Sequence, residues 1–208
     1  MKTYTCTITF TTDLLGTAPT DPEVYNKYIA QKAIENGVAV DIPHEAASLP
    51  DRYTVAEDMR TGITGFHRTP DGKNALYDYM LKGFLKEACG HMRRDKTSRS
   101  AKLKAYKKVI DGQVFPQPRL IPITLAGPVT LLQRPLRAAT PQGDRVALTS
   151  SQSIPAGSSM TFDLVILADS IVPRALLTEW LDYGQFIGLG QWRSGGHGRF
   201  TYRLEEKA

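Results

Sequence analysis

Residues 159–204 read SMTFDLVILADSIVPRALLTEWLDYGQFIGLGQWRSGGHGRFTYRL. Apolar side chains alternate with polar ones over the first eight residues, and this pattern predicts a half-buried strand. Pro173 suits the start of a helix, whose apolar stripe covers residues 175–181. A glycine-rich segment follows, and alternation over residues 199–204 predicts a second strand. This stretch therefore predicts the order strand, helix, strand for the C-terminal half of the chain.

The upstream residues predict a comparable half with insertions. Residues 2–12 alternate like a strand, and residues 76–92 carry an amphipathic helical stripe. Gly83 lies within that helix, where we expect it to permit a close backbone approach. A further helix is predicted over residues 21–36. Further strands are predicted over residues 119–125, 129–132 and 145–148.

The combined order is β-α-β-β-α-β with insertions, which is the α+β, ferredoxin-like (RRM-like) arrangement. We expect a single domain over residues 1–208, interrupted by an irregular insertion at about residues 38–75. One face of such a sheet often stays open and binds single-stranded nucleic acid. The fold class alone does not identify a function.

Composition excludes several classes of protein. The chain is 41% hydrophobic and 23% charged, which is typical of a globular protein rather than a disordered one. No apolar run reaches the roughly 18 residues of a membrane span, and no secretory pattern opens the chain. Cys6 and Cys89 have no metal-ligand spacing, and no cofactor motif occurs. We therefore expect a cytoplasmic protein with no membrane association, metal or cofactor.

Positive charge is concentrated in the middle of the chain. Residues 82–119 contain 11 lysines and arginines against three acids, and the density peaks over residues 93–108, the basic segment. Like charges repel each other, and a polyphosphate backbone would relieve that repulsion while releasing counterions. The alternative is a solvated helix end followed by a mobile loop that keeps the protein soluble.

Six glycines occur in residues 184–198, the glycine-rich loop. Glycines admit positive φ and leave consecutive N–H groups open to an anion. The interleaved Trp192, Arg193 and His197 add a stacking plane and cations, which suits a sugar-phosphate backbone. The pattern is not a dinucleotide fingerprint, because Arg193 stands where a third glycine is required. The alternative is a helix-to-strand connection packed on the sheet, with Trp192 in the core.

Residues 188–200, GLGQWRSGGHGRF, resemble the C-terminal glycine-rich loop of the RAMP superfamily, the ferredoxin-fold RNA-binding subunits of CRISPR effector complexes. Residues 79–86, YMLKGFLK, and residues 154–162, IPAGSSMTF, are similar to two further motifs of that superfamily. Their order suits the backbone-forming subgroup, and the pattern also resembles small phage and prophage proteins. The resemblance implies RNA-backbone contacts for Lys82, Lys86 and residues 190–199, and oligomers that form a ring or filament along a strand.

Together these patterns predict a nucleic-acid interface. Its predicted residues are Lys82, Lys86, Arg93, Arg94, Lys96, Arg99, Lys102, Arg137, Gly190, Trp192, Arg193, Gly195, Gly196, His197 and Arg199. Arg134, Arg137 and Arg145 flank a hairpin-like turn, where arginines either grip phosphate or cover apolar surface with their stems.

Catalytic candidates are few. Some RAMP relatives are metal-independent endoribonucleases that use a histidine as general base, and His67 and His197 each have a neighbouring arginine. Relatives that cut target RNA carry an acid in the insertion after the first strand. Asp58, Asp71 and Asp78 lie there, but no specific motif or metal pattern surrounds them. The sequence therefore favours a protein that is not an enzyme.

Three functions remain open. The first is a binder of RNA or single-stranded DNA that oligomerises along the strand. The second is a metal-independent endoribonuclease on the same fold. The third is a self-assembling phage protein whose basic surface meets an acidic protein partner.

Overall fold

A computed structural model describes residues 1–19, 63–140 and 143–207, with the backbone alone at residues 136–140 and 143–147. Its strands are β1 (Lys2–Phe10), β2 (Leu14–Leu15), β3 (Ala18–Pro19), β4 (Ile63–Gly65), β5 (His67–Arg68), β6 (Asn74–Tyr77), β7 (Val114–Gln117), β8 (Leu120–Thr124), β9 (Thr130–Thr140), β10 (Gly143–Ile154), β11 (Ser159–Ile166) and β12 (Phe200–Glu206). Its helices are α1 (Asp78–Met92), α2 (Tyr106–Gln113) and α3 (Arg174–Asp182).

The central sheet is antiparallel, with β1 between β12 and β11. β11 pairs on its other side with β7 at one end and with β8 at the other. The spatial order β12, β1, β11, β7 therefore places the fourth, first, third and second strands of a β-α-β-β-α-β unit side by side. The ferredoxin-like prediction is confirmed.

Both α1 and α3 pack on one face of this sheet. Their buried side chains recur every three or four residues, and in each helix they form a single apolar stripe. The stripes meet the inward residues of β1 and β11, including Tyr4 and Phe162, in one core cluster. Trp180 of α3 is completely buried there.

A second sheet carries a long hairpin. β9 and β10 pair antiparallel from Thr130 and Ser153 out to Thr140 and Gly143. Near its base, β10 also pairs with β2 and β4. The predicted hairpin around Arg134 and Arg145 is thus confirmed, and it is longer than the sequence pattern indicated.

Three elements differ from their predictions. The predicted helical stripe starts at residue 76, but residues 76 and 77 belong to β6, because all four side chains of that strand are buried and Leu76 pairs with Ile121 of β8. The sequence pattern gave no prediction for α2 or β7. The predicted helix over residues 21–36 and most of the predicted insertion lie outside the described residues.

Both cysteines are buried and free of disulfide bonds. Burial raises the pKa of the Cys6 thiol to about 12 and also raises that of Cys89. Each thiol therefore stays protonated and unreactive inside the core.

Candidate nucleic-acid interface

The glycine-rich loop closes on itself at a narrow neck. A Cβ atom on Gly198 would lie 1.9 Å from the carbonyl oxygen of Leu189, and one on Gly188 would lie 2.2 Å from the carbonyl carbon of Gly198. Both glycines have positive φ, at +72° and +74°. Glycine is therefore required at the neck because two backbone segments touch there.

Many amides of the loop are already bonded. The N–H groups of Leu189, Gln191, Gly195, Gly196 and Gly198 all donate to backbone carbonyls. The prediction that the loop opens its amides to an anion is therefore wrong for these five, and Gly195 and Gly196 offer no free donor. The loop instead presents side chains on a rigid backbone.

Trp192 is the centre of those side chains. Its indole is 42% exposed, so the alternative of a core tryptophan is wrong. The ring stacks on His197 with a centroid distance of 5.0 Å, and the guanidinium carbon of Arg134 lies 4.5 Å from the ring centroid. Gly195 is tight against the indole, since a Cβ there would lie 2.5 Å from a ring carbon. Hairpin and loop therefore meet at one aromatic and cationic cluster.

The loop docks onto α1 and leaves a cleft between them. Arg193 forms an ion pair with Glu87 of α1. The cleft has a volume of about 360 Å³, and its lining includes Met80, Gly83 and Gly190. A Cβ on Gly83 would meet nothing within 4 Å, so the predicted close backbone approach does not occur among the described residues. Gly83 instead leaves space along the side of α1.

The C-terminal end of α1 joins the loop to the basic segment. His91 stacks on Tyr183 with a centroid distance of 5.6 Å. Burial raises the pKa of Tyr183, Glu87 raises it further, and the positive charges of Arg193 and Arg94 oppose this shift. Arg94 and Arg193 therefore both act on the charge of Tyr183, although about 100 residues separate them in sequence.

The basic segment is ordered by internal contacts. The carboxylate of Glu179 accepts hydrogen bonds from the backbone N–H groups of Arg99 and Ser100 and from the Ser100 hydroxyl. The buried Trp180 indole donates to the same hydroxyl at 2.9 Å. Arg93 lies over the ring of Tyr106, 4.9 Å from its centroid. The alternative of a mobile loop is therefore wrong for residues 99–100.

The charges of the basic segment point outward. Within the described part of the chain, no ion pair involves the exposed cations of this segment, which are Arg94, Lys96, Arg99, Lys102, Lys104, Lys107 and Lys108. Glu179 was not identified from the sequence, where nothing distinguishes it from an ordinary helix-surface acid. Its role is visible only once α3 lies beside residues 99–100.

Lys82 and Lys86 lie on another side of α1. Residues on a helix turn by about 100° each, which separates these two lysines from Met80, Gly83 and Glu87. Lys86 forms an ion pair with Asp111 of α2 at 2.6 Å. Lys82 donates to the backbone carbonyl of Asp111 and lies over the ring of Phe115. The structure does not bring these two lysines together with the loop.

Two further predicted arginines flank the loop. Arg199 is exposed and closes the loop, with its backbone N–H bonded to the Thr12 hydroxyl. Arg137 lies on β9 opposite Val146, and its side chain is outside the described residues.

The two histidine candidates differ in access. His67 is 2% exposed and packs edge-on against Tyr77, and burial lowers its pKa to about 4. In this structure a nucleic-acid strand does not reach the buried imidazole. His197 lies on the loop, but its Nδ1 atom has no accessible surface and no hydrogen-bond partner.

The acids of the insertion form no metal site in the described residues. Asp71 pairs with Lys73, and the Asp78 carboxylate accepts the N–H of Tyr79 at the start of α1. Asp58 lies outside the described residues. Across the described ranges, no cluster of three metal-ligating side chains occurs.

Among the helices of the described residues, none is long and apolar enough to span a membrane.

The face of β1, β11 and β12 that points away from α1 and α3, the open face, has no aromatic side chain on these three described strands. Over β1, β11 and β12, the outward positions carry mainly threonines and charged side chains, such as Thr7, Thr161 and Arg203. Thr5 donates to Asp163, which also binds Lys207. Base stacking on these three strands, as in RNA-recognition modules, therefore has no aromatic platform.

No protein-family model matches the sequence, and no curated protein matches it. Among solved structures, a chain of the type III-B Cmr-beta complex bound to cognate target RNA matches with a TM-score of 0.54 and 11% identity. The match covers 99% of this chain but only 60% of that one. A chain of a type IV-B CRISPR complex matches with a TM-score of 0.48 and 11% identity, over 97% of this chain and 90% of that one. This chain therefore shares the fold of a chain in the type III-B Cmr-beta complex.

Proposed function

We propose that this protein is a RAMP-like binder of single-stranded nucleic acid, RNA in the first place, and that it acts without cleaving the strand. The observation that carries the proposal is that Arg193 of the glycine-rich loop pairs with Glu87 of α1, while the basic segment begins directly after the last residue of that helix, Met92. The fold likeness supports RNA over DNA, since the matching chain belongs to a complex bound to target RNA.

The binding energy in this proposal comes mainly from unpaired cations. Lys96, Lys102 and their neighbours have no internal counterion in the described residues, so their attraction for phosphate is undiminished. Trp192 and the rigid loop add an amphipathic surface at one end of this region. We propose that the strand runs from the basic segment past Arg94 to the loop.

Assembly is the second part of the proposal. A protein that coats a strand contacts neighbouring copies of itself, and we propose homo-oligomers that form along RNA in the cytoplasm. The chain that shares this fold comes from the type III-B Cmr-beta bound to cognate target RNA, which supports assembly along RNA.

The test is fluorescence polarisation with labelled single-stranded RNA and DNA of equal sequence, repeated across a salt series. We expect affinity to fall steeply with salt, with a log–log slope of about −0.7 for each phosphate contacted. Light scattering after size exclusion, with and without RNA, measures assembly. Absence of binding at low salt would refute the proposal and leave an acidic protein partner.

Cleavage is checked in the same samples. End-labelled RNA should remain intact with or without a chelator, because His67 is buried and the described residues contain no cluster of metal-ligating side chains. Cleavage that persists in the chelator and is lost in His197→Gln would instead establish the metal-independent endoribonuclease.

A further inference from the structure

Arg134 is a buried cation to which the described residues offer no counterion. It lies on β9 between the exposed Gln133 and Pro135, yet it is only 7% exposed itself. Its Nε and Nη1 atoms are buried and have no hydrogen-bond partner in the part of the chain that the structure describes. Burial lowers the pKa of this guanidinium, and no acid of the described residues offsets that shift. Leaving a charged group buried and unpaired is costly, so such a site needs an explanation.

Trp192 covers this guanidinium. The guanidinium carbon of Arg134 lies over the indole ring, 4.5 Å from its centroid, and a cation–π contact of this kind compensates part of the lost hydration. This contact engages the charge of the group, while its Nε and Nη1 donors find no hydrogen-bond acceptor among the described residues. The cluster therefore contains hydrogen-bond donors that no described residue satisfies.

Trp192 itself has a strained backbone conformation. Trp192 has φ of 51°, a left-handed conformation that side chains larger than glycine rarely adopt. Its indole is 42% exposed, and His197, which stacks on it, has a buried Nδ1 atom with no partner. Strain and unpaired polar atoms that occur together point to a site that changes on ligand binding.

We infer that Arg134 is a latent phosphate ligand, from which the Trp192 ring moves away when a phosphodiester of the bound strand takes the free guanidinium nitrogens. A phosphate suits this role because its oxygens match the planar fork of an arginine. The exposed Arg199 beside Gly196 adds a second cation at the rim. This inference rests on the proposed function and adds to it a contact at the base of the hairpin.

The test compares two variants that each remove one arginine charge. Arg134→Gln is expected to weaken single-stranded RNA binding roughly tenfold and to reduce the magnitude of the salt slope by about one contact. Arg203→Gln is the matched control, because Arg203 lies on the open face of the sheet and pairs with Glu205. Its affinity and slope should stay within about twofold of the wild type.

Failure of the inference can be separated from failure of the proposed function. Wild-type protein that binds RNA in a salt-dependent way, with Arg134→Gln binding equally well, would overturn the inference and leave the proposed function intact. Wild-type protein that binds no strand would overturn both. A purely structural role for Arg134 would change the midpoint of urea unfolding without changing the salt slope.

A measurement on the wild-type protein covers the case in which Arg134→Gln does not fold. The chain has two tryptophans, and Trp180 is completely buried and bonded to Ser100. Adding RNA should therefore change the emission of Trp192, and Trp192→Phe should abolish that change. Emission that stays constant at saturating RNA would exclude the movement of the ring.

Discussion

Two pairs of lysines that look alike in the sequence have opposite surroundings. Lys82 and Lys86 on α1 both bond to Asp111 of α2, one to its backbone carbonyl and the other to its carboxylate. Lys96 and Lys102 in the basic segment are exposed and form no ion pair within the described residues. A lysine contributes to polyanion binding when its charge has no partner within the protein. The density of positive charge in the sequence therefore overestimates how many lysines belong to the interface.

The variant with the largest expected effect disrupts the neck of the glycine-rich loop and leaves both lysine pairs in place. Gly198→Ala should destabilise the protein by about 3–4 kcal/mol, because the new Cβ meets the Leu189 carbonyl and φ is +72°. Urea unfolding measures the loss. Gly112→Ala in α2 is the control, because a Cβ there meets nothing within 4 Å. Equal stability of both variants would show that the neck is not close-packed.

The histidines provide a second contrast between buried and surface groups. The folded chain protonates His67 only near pH 4, whereas the unfolded chain does so near its ordinary pKa of 6.5. The unfolded state therefore binds more protons in this window, and the free energy of unfolding falls by roughly 3 kcal/mol as the pH drops from above 6.5 to 4.

Unfolding midpoints measured across that pH range test this expectation. His67→Gln should flatten the pH dependence, and His91→Gln, which alters an exposed histidine, should retain it. A slope that persists in His67→Gln would assign the effect to another group.

The third prediction concerns what holds Lys96 and Lys102 in place. Glu179→Gln should cost roughly 2 kcal/mol, because its carboxylate anchors the backbone of Arg99 and Ser100. Hydrogen exchange of those two amides should accelerate. Glu205→Gln, at an exposed acid of β12, is the matched change and should leave both amides as they were.

The smallest expected effect tests the lysine comparison directly. Lys96→Ala with Lys102→Ala should reduce the magnitude of the salt slope for RNA binding by nearly two contacts and the affinity roughly tenfold. Lys82→Ala with Lys86→Ala removes the same charge but should change the affinity less than about threefold, because Lys86 is already neutralised by Asp111. Equal effects of the two double variants would refute the distinction.

Much of the fold could be predicted from periodicity. Strand β11, the start of α3 after Pro173 and the alternation of β12 follow from local patterns that tertiary contacts reinforce. β6 could not be predicted, because Leu76 continues the apolar stripe of α1 in sequence and becomes part of a strand only by pairing with β8.

The candidate site was predictable in its residue types more than in its geometry. The glycine-rich loop and the basic segment were found from composition. Most of the loop glycines, however, are required because neighbouring backbone or ring atoms leave no space for a Cβ atom. The unpaired state of Arg134 depends on Trp192, which lies 58 positions further along the chain. No local sequence pattern predicts such a contact.

The two buried cysteines have a practical consequence for measuring motion in solution. They are the only thiols in the sequence, and burial keeps both protonated. A cysteine introduced at the exposed Ser194 would therefore be the single site that reacts with a maleimide dye or spin label. The native chain is in effect already a cysteine-free background for spectroscopy of the loop.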